Sequence, residues 1–190
     1  MYPFIRFVRE MWSARRQPKL PVTGVHVSTH RCWPWDIDPW VELNNGRTLT
    51  LYDLGRIPLA ERTGLIEILR REKWGITIAG NSVRYRRRIR AFQRFTMVSH
   101  TIGWDARFLY MEQTLWSKGE CCNHMLVRAA ITSPEGIVAP ARMLAVAGEP
   151  DQSPPLPDWV TAWIEADAQR PWPPVLPTLA PTDPNEDLPR

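Results

Sequence analysis

Hydrophobic positions along the chain follow two regimes that change at Gly75. Before it, apolar residues recur mostly at helical spacing. Phe4, Ile5, Val8, Met11 and Trp12 mark an amphipathic helix within 1–20, ended by Pro18 and Pro21 and surrounded by Arg6, Arg9, Arg15, Arg16 and Lys19. Residues 22–33 are β-rich and roughly alternating, which predicts a first strand. Asn44 or Asn45 is then a good N-cap for a helix through Leu49, Tyr52, Asp53 and Arg56, which Pro58 is expected to kink or restart. A second amphipathic stretch with Leu65, Ile66 and Leu69 closes near Trp74-Gly75. After Gly75 the period drops to two, and strands are predicted over 76–90, 94–104, 107–116 and 121–132, separated by short turns. Such a succession is an antiparallel meander. With the first strand it gives an α+β fold, an antiparallel sheet of about five strands wrapped around a long central helix. Residues 139–147 suit either a short helix or a last strand.

Composition sets the domain plan. The 190 residues, 44% hydrophobic with ten tryptophans, can fill one core, so one domain with extensions is expected: a basic amphipathic helix over 1–21, the domain over 22–148, and a Pro-rich acidic extension over 149–190. That extension holds one short helical window, 158–168, and from Arg170 onward is expected to pack only through Trp172 or Leu176. Three cysteines, two of them adjacent as Cys121-Cys122, make neither a disulfide framework nor a zinc spacing, so all three are read as buried thiols in a reducing compartment. No apolar run approaches the ~18 to 20 residues that span a bilayer, and no signal-peptide core is evident. A soluble cytoplasmic protein is expected, with peripheral membrane contact through 1–20 as one use of the first helix and packing on the domain as the other.

The formal charge is +4, but it is unevenly spread. Arg84, Arg86, Arg88 and Arg90 alternate with apolar residues, which on a strand would put four guanidiniums on one face about 7 Å apart. Such a row suits phosphate, or else a solvated face that discourages edge pairing. Arg87 would fall on the apolar face, with Glu112 as its candidate partner. No nucleic-acid motif accompanies the row, so nucleic acid is not expected as a partner. His26 and His30 share a strand face with Ser28, while His100 and His124 are isolated; all four are read as structural, and no metal-ligand spacing is present.

The densest chemistry lies in Asp36-Ile37-Asp38-Pro39-Trp40-Val41-Glu42-Leu43-Asn44-Asn45-Gly46. Carboxylates can act as base or nucleophile, and the free N–H groups of a helix's first turn can stabilise a developing oxyanion. Asp38 and Glu42, four residues apart, can divide base and acid roles. The plainer alternative has Asp36 and Asp38 capping a turn, with Glu42 facing solvent or pairing with Arg47 or Arg56. Asp53 and Arg56, one turn apart, suit an ion pair.

This layout and these residues resemble the hotdog-fold acyl-CoA thioesterase family of the 4-hydroxybenzoyl-CoA type. The match rests on Asp36-Ile37-Asp38 with Asn44-Asn45 at the family's offset, and on Tyr52-Asp53-Leu54-Gly55-Arg56. Ser82-Val83-Arg84-Tyr85-Arg86-Arg87, Gly103-Trp104-Asp105 and Tyr110-Met111-Glu112 resemble the thioesterase-like branch that contains the THEM6-type proteins. The resemblance covers 22–148. It implies hydrolysis of an acyl thioester of coenzyme A or acyl carrier protein, with Asp38 as the catalytic carboxylate and Glu42 its candidate helper. Asn44, Asn45 and Gly46 would form the oxyanion and substrate site, and Arg84, Arg86 and Arg88 would meet coenzyme A phosphates. It implies no cofactor beyond the thioester substrate, and a homodimer or higher homo-oligomer. Many relatives carry D-x-D-x-x-x-H-x-N-N, and Glu42 stands at the histidine position, so that histidine's role does not transfer. The alternative is a non-catalytic acyl-binding or protein-interaction module.

Overall fold

The computed structural model describes residues 2–174, with elements in the order α1 (Phe4–Arg15), β1 (Val25–Arg31), a 3-10 turn (Pro34–Asp36), α2 (Asn45–Arg62), α3 (Leu65–Glu72), β2 (Gly75–Tyr85), β3 (Arg94–Trp104), β4 (Leu109–Ser117), β5 (Glu120–Ser133), β6 (Gly136–Val138), α4 (Pro140–Ala147) and α5 (Asp158–Ala168). These residues fall into two compact units. The first runs to Pro155 and holds every element but α5; the second begins at Leu156. Leu176 lies outside the described residues.

The sheet is antiparallel throughout, in the order β1-β3-β4-β5-β2, with the three-residue β6 pairing against the end of β5. One face receives α2. Leu51, Tyr52, Leu54 and Leu59 of that helix share a core with Phe95 and Met97 of β3, Met111 and Leu115 of β4, and Met125 and Val127 of β5. Contact is closest at Gly55, where a Cβ would collide with Met97 Sδ and Ser99 Oγ and stand 3.2 Å from Gln113 Nε2. Gln113, fully buried, donates to Tyr52 O at 2.9 Å and Ser99 Oγ at 2.8 Å, so its amide locks helix and sheet together. A second cluster, including Ile68, Trp104, Ile131, Met143 and Leu144, seals the other end of the sheet with α3 and α4.

Several elements differ from their sequence patterns. Helix α2 runs unbroken through Pro58 to Arg62, so the proline is absorbed rather than restarting the helix. Residues 139–147 settle as a helix, begun by Pro140 at its first turn, where a missing N–H costs nothing. β2 ends at Tyr85 instead of continuing to 90, because the N–H groups of Arg86 and Arg87 both turn to the Cys122 carbonyl (2.8 and 2.9 Å) and Ile89 folds into the core. The expected row of four arginines on one strand face is therefore not formed.

Helix α1 packs on α2 through Phe7 and Ala14, with Arg15 paired to Glu61 at 3.0 Å. Its Glu10 is buried beside His30 of β1, with 3.9 Å between Oε1 and Nδ1. His26, Ser28 and His30 do share the inward face: Ser28 Oγ and His30 Nε2 lie 2.8 Å apart, and Arg62 Nη1 approaches His26 Nδ1 at 3.1 Å. Burial first, and neighbouring arginines second, push both imidazoles down to about 4.

Candidate active site

Between the 3-10 turn and α2 the chain makes a tight loop. Ile37 and Leu43 bridge as an antiparallel pair, Asp38 N–H donates to Glu42 O at 2.9 Å, and Val41 N–H donates to Asp38 O at 3.0 Å. Asp38 Oδ1 accepts the Trp40 N–H at 2.9 Å, the self-capping that aspartate favours at the head of a turn. Its Oδ2 has no hydrogen-bond partner among the described residues. Val41 closes the loop with φ of 61°, a left-handed conformation that glycine or asparagine adopts readily and a β-branched residue only under strain. Strain of that kind collects at working sites.

Asp36 is buried and structural. Arg6 Nη2 reaches both its oxygens at 2.8 Å, Arg47 Nε reaches Oδ1 at 2.7 Å, and the Trp33 N–H reaches Oδ2 at 3.0 Å. Burial alone would raise this carboxyl; those hydrogen bonds more than offset it and hold the group below the usual carboxylate range. Its carbonyl also accepts the Asn44 N–H at 2.9 Å, fixing the start of α2.

At that start the donors are unequal. Asn44 Oδ1 caps the Arg47 N–H at 2.9 Å, and Asn45 Oδ1 takes the Gly46 N–H at 2.7 Å. The Asn45 N–H is left without an acceptor among the described residues, at the positive end of the helix dipole. Tyr85 Oη, at the end of β2, donates to Asn45 O at 3.2 Å.

A cavity of about 440 Å³ gathers these groups. Asp38, Glu42, Asn44 and Asn45 line one side, and Tyr85, Arg86, Arg87, Arg88 and Asn123 the other. Glu42 bonds neither Arg47 nor Arg56; it pairs with Arg88 Nε at 2.8 Å, tying the loop to the segment after β2. Of the other expected residues, Gly46 lines a separate space of about 400 Å³ with Tyr2, Trp35 and Arg47, and its N–H is already occupied. Arg84 faces a different cavity of about 890 Å³ on the sheet face opposite α2, which Arg86 also reaches. Asp53 and Arg56 form the expected ion pair, at 2.6 Å.

Among the lining residues that escaped the sequence pattern are Tyr85 and Asn123, which stand opposite each other in the β2–β5 register. Asn123 is buried and accepts a hydrogen bond from Tyr52 Oη, whose hydroxyl burial pushes well up and keeps neutral. The one available signal was a polar residue at an inward position of an apolar strand. On the opposite sheet face, His100 and His124 are not isolated: both approach Glu112, at 3.5 and 3.0 Å, and the His124 hydrogen bond lowers that carboxyl. Glu112 therefore does not serve Arg87, which lies 3.5 Å from Glu120. Cys32 and Cys122 are buried as expected, but Cys121 is half-exposed at the cavity on that face.

A curled antiparallel sheet wrapped on a long helix, with a carboxylate loop at the helix's N-terminus, defines a hotdog fold of thioesterase-like type. The chain belongs to the Thioesterase-like superfamily, whose family model matches residues 32–164. It is 30% identical over 167 residues to Protein THEM6 of Drosophila melanogaster, covering 86% of this chain and 84% of that protein. A probable thioesterase from Escherichia coli superposes with a TM-score of 0.61 at 14% identity, covering 65% of this chain and 96% of the other. A DHNA-CoA thioesterase from Staphylococcus aureus does so with a TM-score of 0.56 at 11% identity, covering 76% and 91%.

Proposed function

We propose that the protein hydrolyses an acyl thioester of coenzyme A or acyl carrier protein. The reading rests on one arrangement: Asp38, with one carboxylate oxygen unengaged, shares a cavity with the uncapped N–H of Asn45. Asp38 takes a proton from water, and the oxygen so activated attacks the thioester carbonyl. The carbonyl oxygen, gaining charge, is received by the Asn45 N–H and the α2 dipole. Collapse breaks the C–S bond, the leaving sulfur takes the proton back from Asp38 and departs as the thiol, and a carboxylic acid remains with Asp38 again a carboxylate. Glu42 contributes by holding Arg88 over the cavity, where Arg86, Arg87 and Arg88 can meet the carrier's phosphates. That two Staphylococcus aureus proteins of the same fold are a DHNA-CoA thioesterase and a protein solved in complex with CoA supports this substrate class.

The working unit in this reading is a homodimer. Among the described residues β2 pairs only with β5, and Ile76, Ile78 and Tyr85 along it are exposed, a long apolar edge that suits a second copy of itself. Thiol release from a panel of acyl-CoA substrates tests the chemistry. Asp38→Asn should lose activity by roughly 10²- to 10⁴-fold. Hydrolysis unchanged by that substitution removes Asp38 from the mechanism, and no hydrolysis of any substrate by the wild type leaves a binding module instead.

A further inference from the structure

Helix α1 turns one side to α2 and leaves the other uncovered. Phe4, Ile5, Val8 and Trp12 are 59% to 90% exposed. At 3.6 residues per turn these four fall within an arc of about 100°, so the helix carries a continuous and largely exposed apolar stripe. The stripe is extended by the loop before α2. Phe4, Ile5 and Arg9 line a groove of about 820 Å³ together with Trp33 and Trp35. Those two indoles stack 5.4 Å apart, the ring of Phe92 stands edge-on to Trp33 at 6.2 Å, and Trp35 and Phe92 are themselves exposed.

Cations border the surface. Arg16 lies over the Trp12 ring, Arg31 over Trp33, and Arg9 flanks the groove. Between Tyr2 and Leu20 the chain has five cationic side chains against one carboxylate, Glu10, which is buried. Exposed aliphatic and aromatic side chains rimmed by arginine match the boundary between acyl chains and anionic headgroups, where indole rings and guanidiniums each find both an apolar and a polar environment. Twelve residues span about 18 Å, short of a bilayer core of about 30 Å, and among the described residues no helix is long and apolar enough to cross a membrane. A helix of this length lies in the plane of the surface.

We propose that the outer face of α1, with Trp35 beside it, docks the protein on an anionic phospholipid surface. The face is already formed, because the Arg6–Asp36 and Arg15–Glu61 pairs and Phe7 hold α1 in place from its other side. A second copy is the weaker occupant, since the β2 edge, which contains none of these residues, already offers a self-pairing surface.

Co-sedimentation of the full chain with vesicles tests the proposal. The wild type should pellet with phosphatidylcholine–phosphatidylglycerol vesicles, less with phosphatidylcholine alone, and less as salt rises. Ile5→Glu/Val8→Glu should lower the bound fraction at least tenfold while the circular dichroism spectrum, the melting temperature and hydrolysis of a water-soluble thioester stay unchanged. Arg9→Glu/Arg16→Glu, which spares the apolar stripe, should abolish the preference for the anionic lipid. The proposal is overturned if the wild type stays in the supernatant with anionic vesicles at low salt, or if Ile5→Glu/Val8→Glu pellets as well as the wild type. It is equally overturned if that variant instead shifts the oligomeric state in size-exclusion chromatography, which would make the face an interface between copies.

Discussion

Val41 and Asp36 hold the candidate site from opposite directions. Val41 closes the Asp38 loop in a left-handed conformation that costs a β-branched residue roughly 1–3 kcal/mol. Because its side chain is exposed, replacement by asparagine removes strain without removing packing. Val41→Asn should therefore stabilise the protein by about 1 kcal/mol in chemical denaturation. Asp36 works by charge. Asp36→Asn strips the buried carboxylate from Arg6 and Arg47 and should cost on the order of 3–5 kcal/mol. Its folded carboxyl lies below the unfolded value of 3.8, so its contribution is present above that value and is lost as pH falls through and below it. Asp38, Asn44 and Asn45 were legible in the sequence because they lie in one contiguous segment whose turn and cap chemistry is local. Tyr85 and Asn123 were not, because strand register brings them there. Glu42 lies in the same segment, but its bond to Arg88 depends on where β2 ends.

The elements themselves followed hydrophobic period closely, and they failed where the backbone departs from it. Side-chain alternation continues through Arg90, yet β2 stops at Tyr85 because two successive N–H groups share the Cys122 carbonyl, a choice of hydrogen-bond partner that no side-chain pattern records. The approach of α2 to the sheet has the same character: Gly55 looks like a weak point in a helix until Met97 and Ser99 are seen against it. Gly55→Ala should cost about 1–3 kcal/mol by overpacking, although alanine is the better helix former. β1 carries a pH dependence in the mildly acidic range. His26 and His30 sit near 4 in the folded protein against 6.5 unfolded, so the unfolded chain takes up protons first as pH falls below 6.5. Stability present above that pH is lost progressively down to about 4, on the order of a few kcal/mol. Glu10, raised by burial, acts in the opposite sense, and the two large histidine shifts outweigh it. Denaturant midpoints measured across this range should fall, and His30→Gln should flatten the slope.

At the scale of the whole molecule, two exposed surfaces are available for the two proposed associations. The β2 edge suits another copy of the chain, and Ile76→Lys/Ile78→Lys should convert a dimer to monomers in light scattering without touching the α1 stripe. The extended, exposed strand was visible in the sequence as a β pattern, but that both its faces lie open depends on its place at the sheet's end. Helix α1 and the start of α2 meet on a single carboxylate, Asp36, bonded to Arg6 from one and Arg47 from the other. Trimming α1 is therefore not a neutral truncation. A shortened chain would leave Asp36 with half its cationic partners and slacken the loop that carries Asp38, so a fall in the proposed hydrolysis after such trimming would say nothing about membrane docking. Point changes on the outer stripe keep that carboxylate satisfied and are the ones to trust.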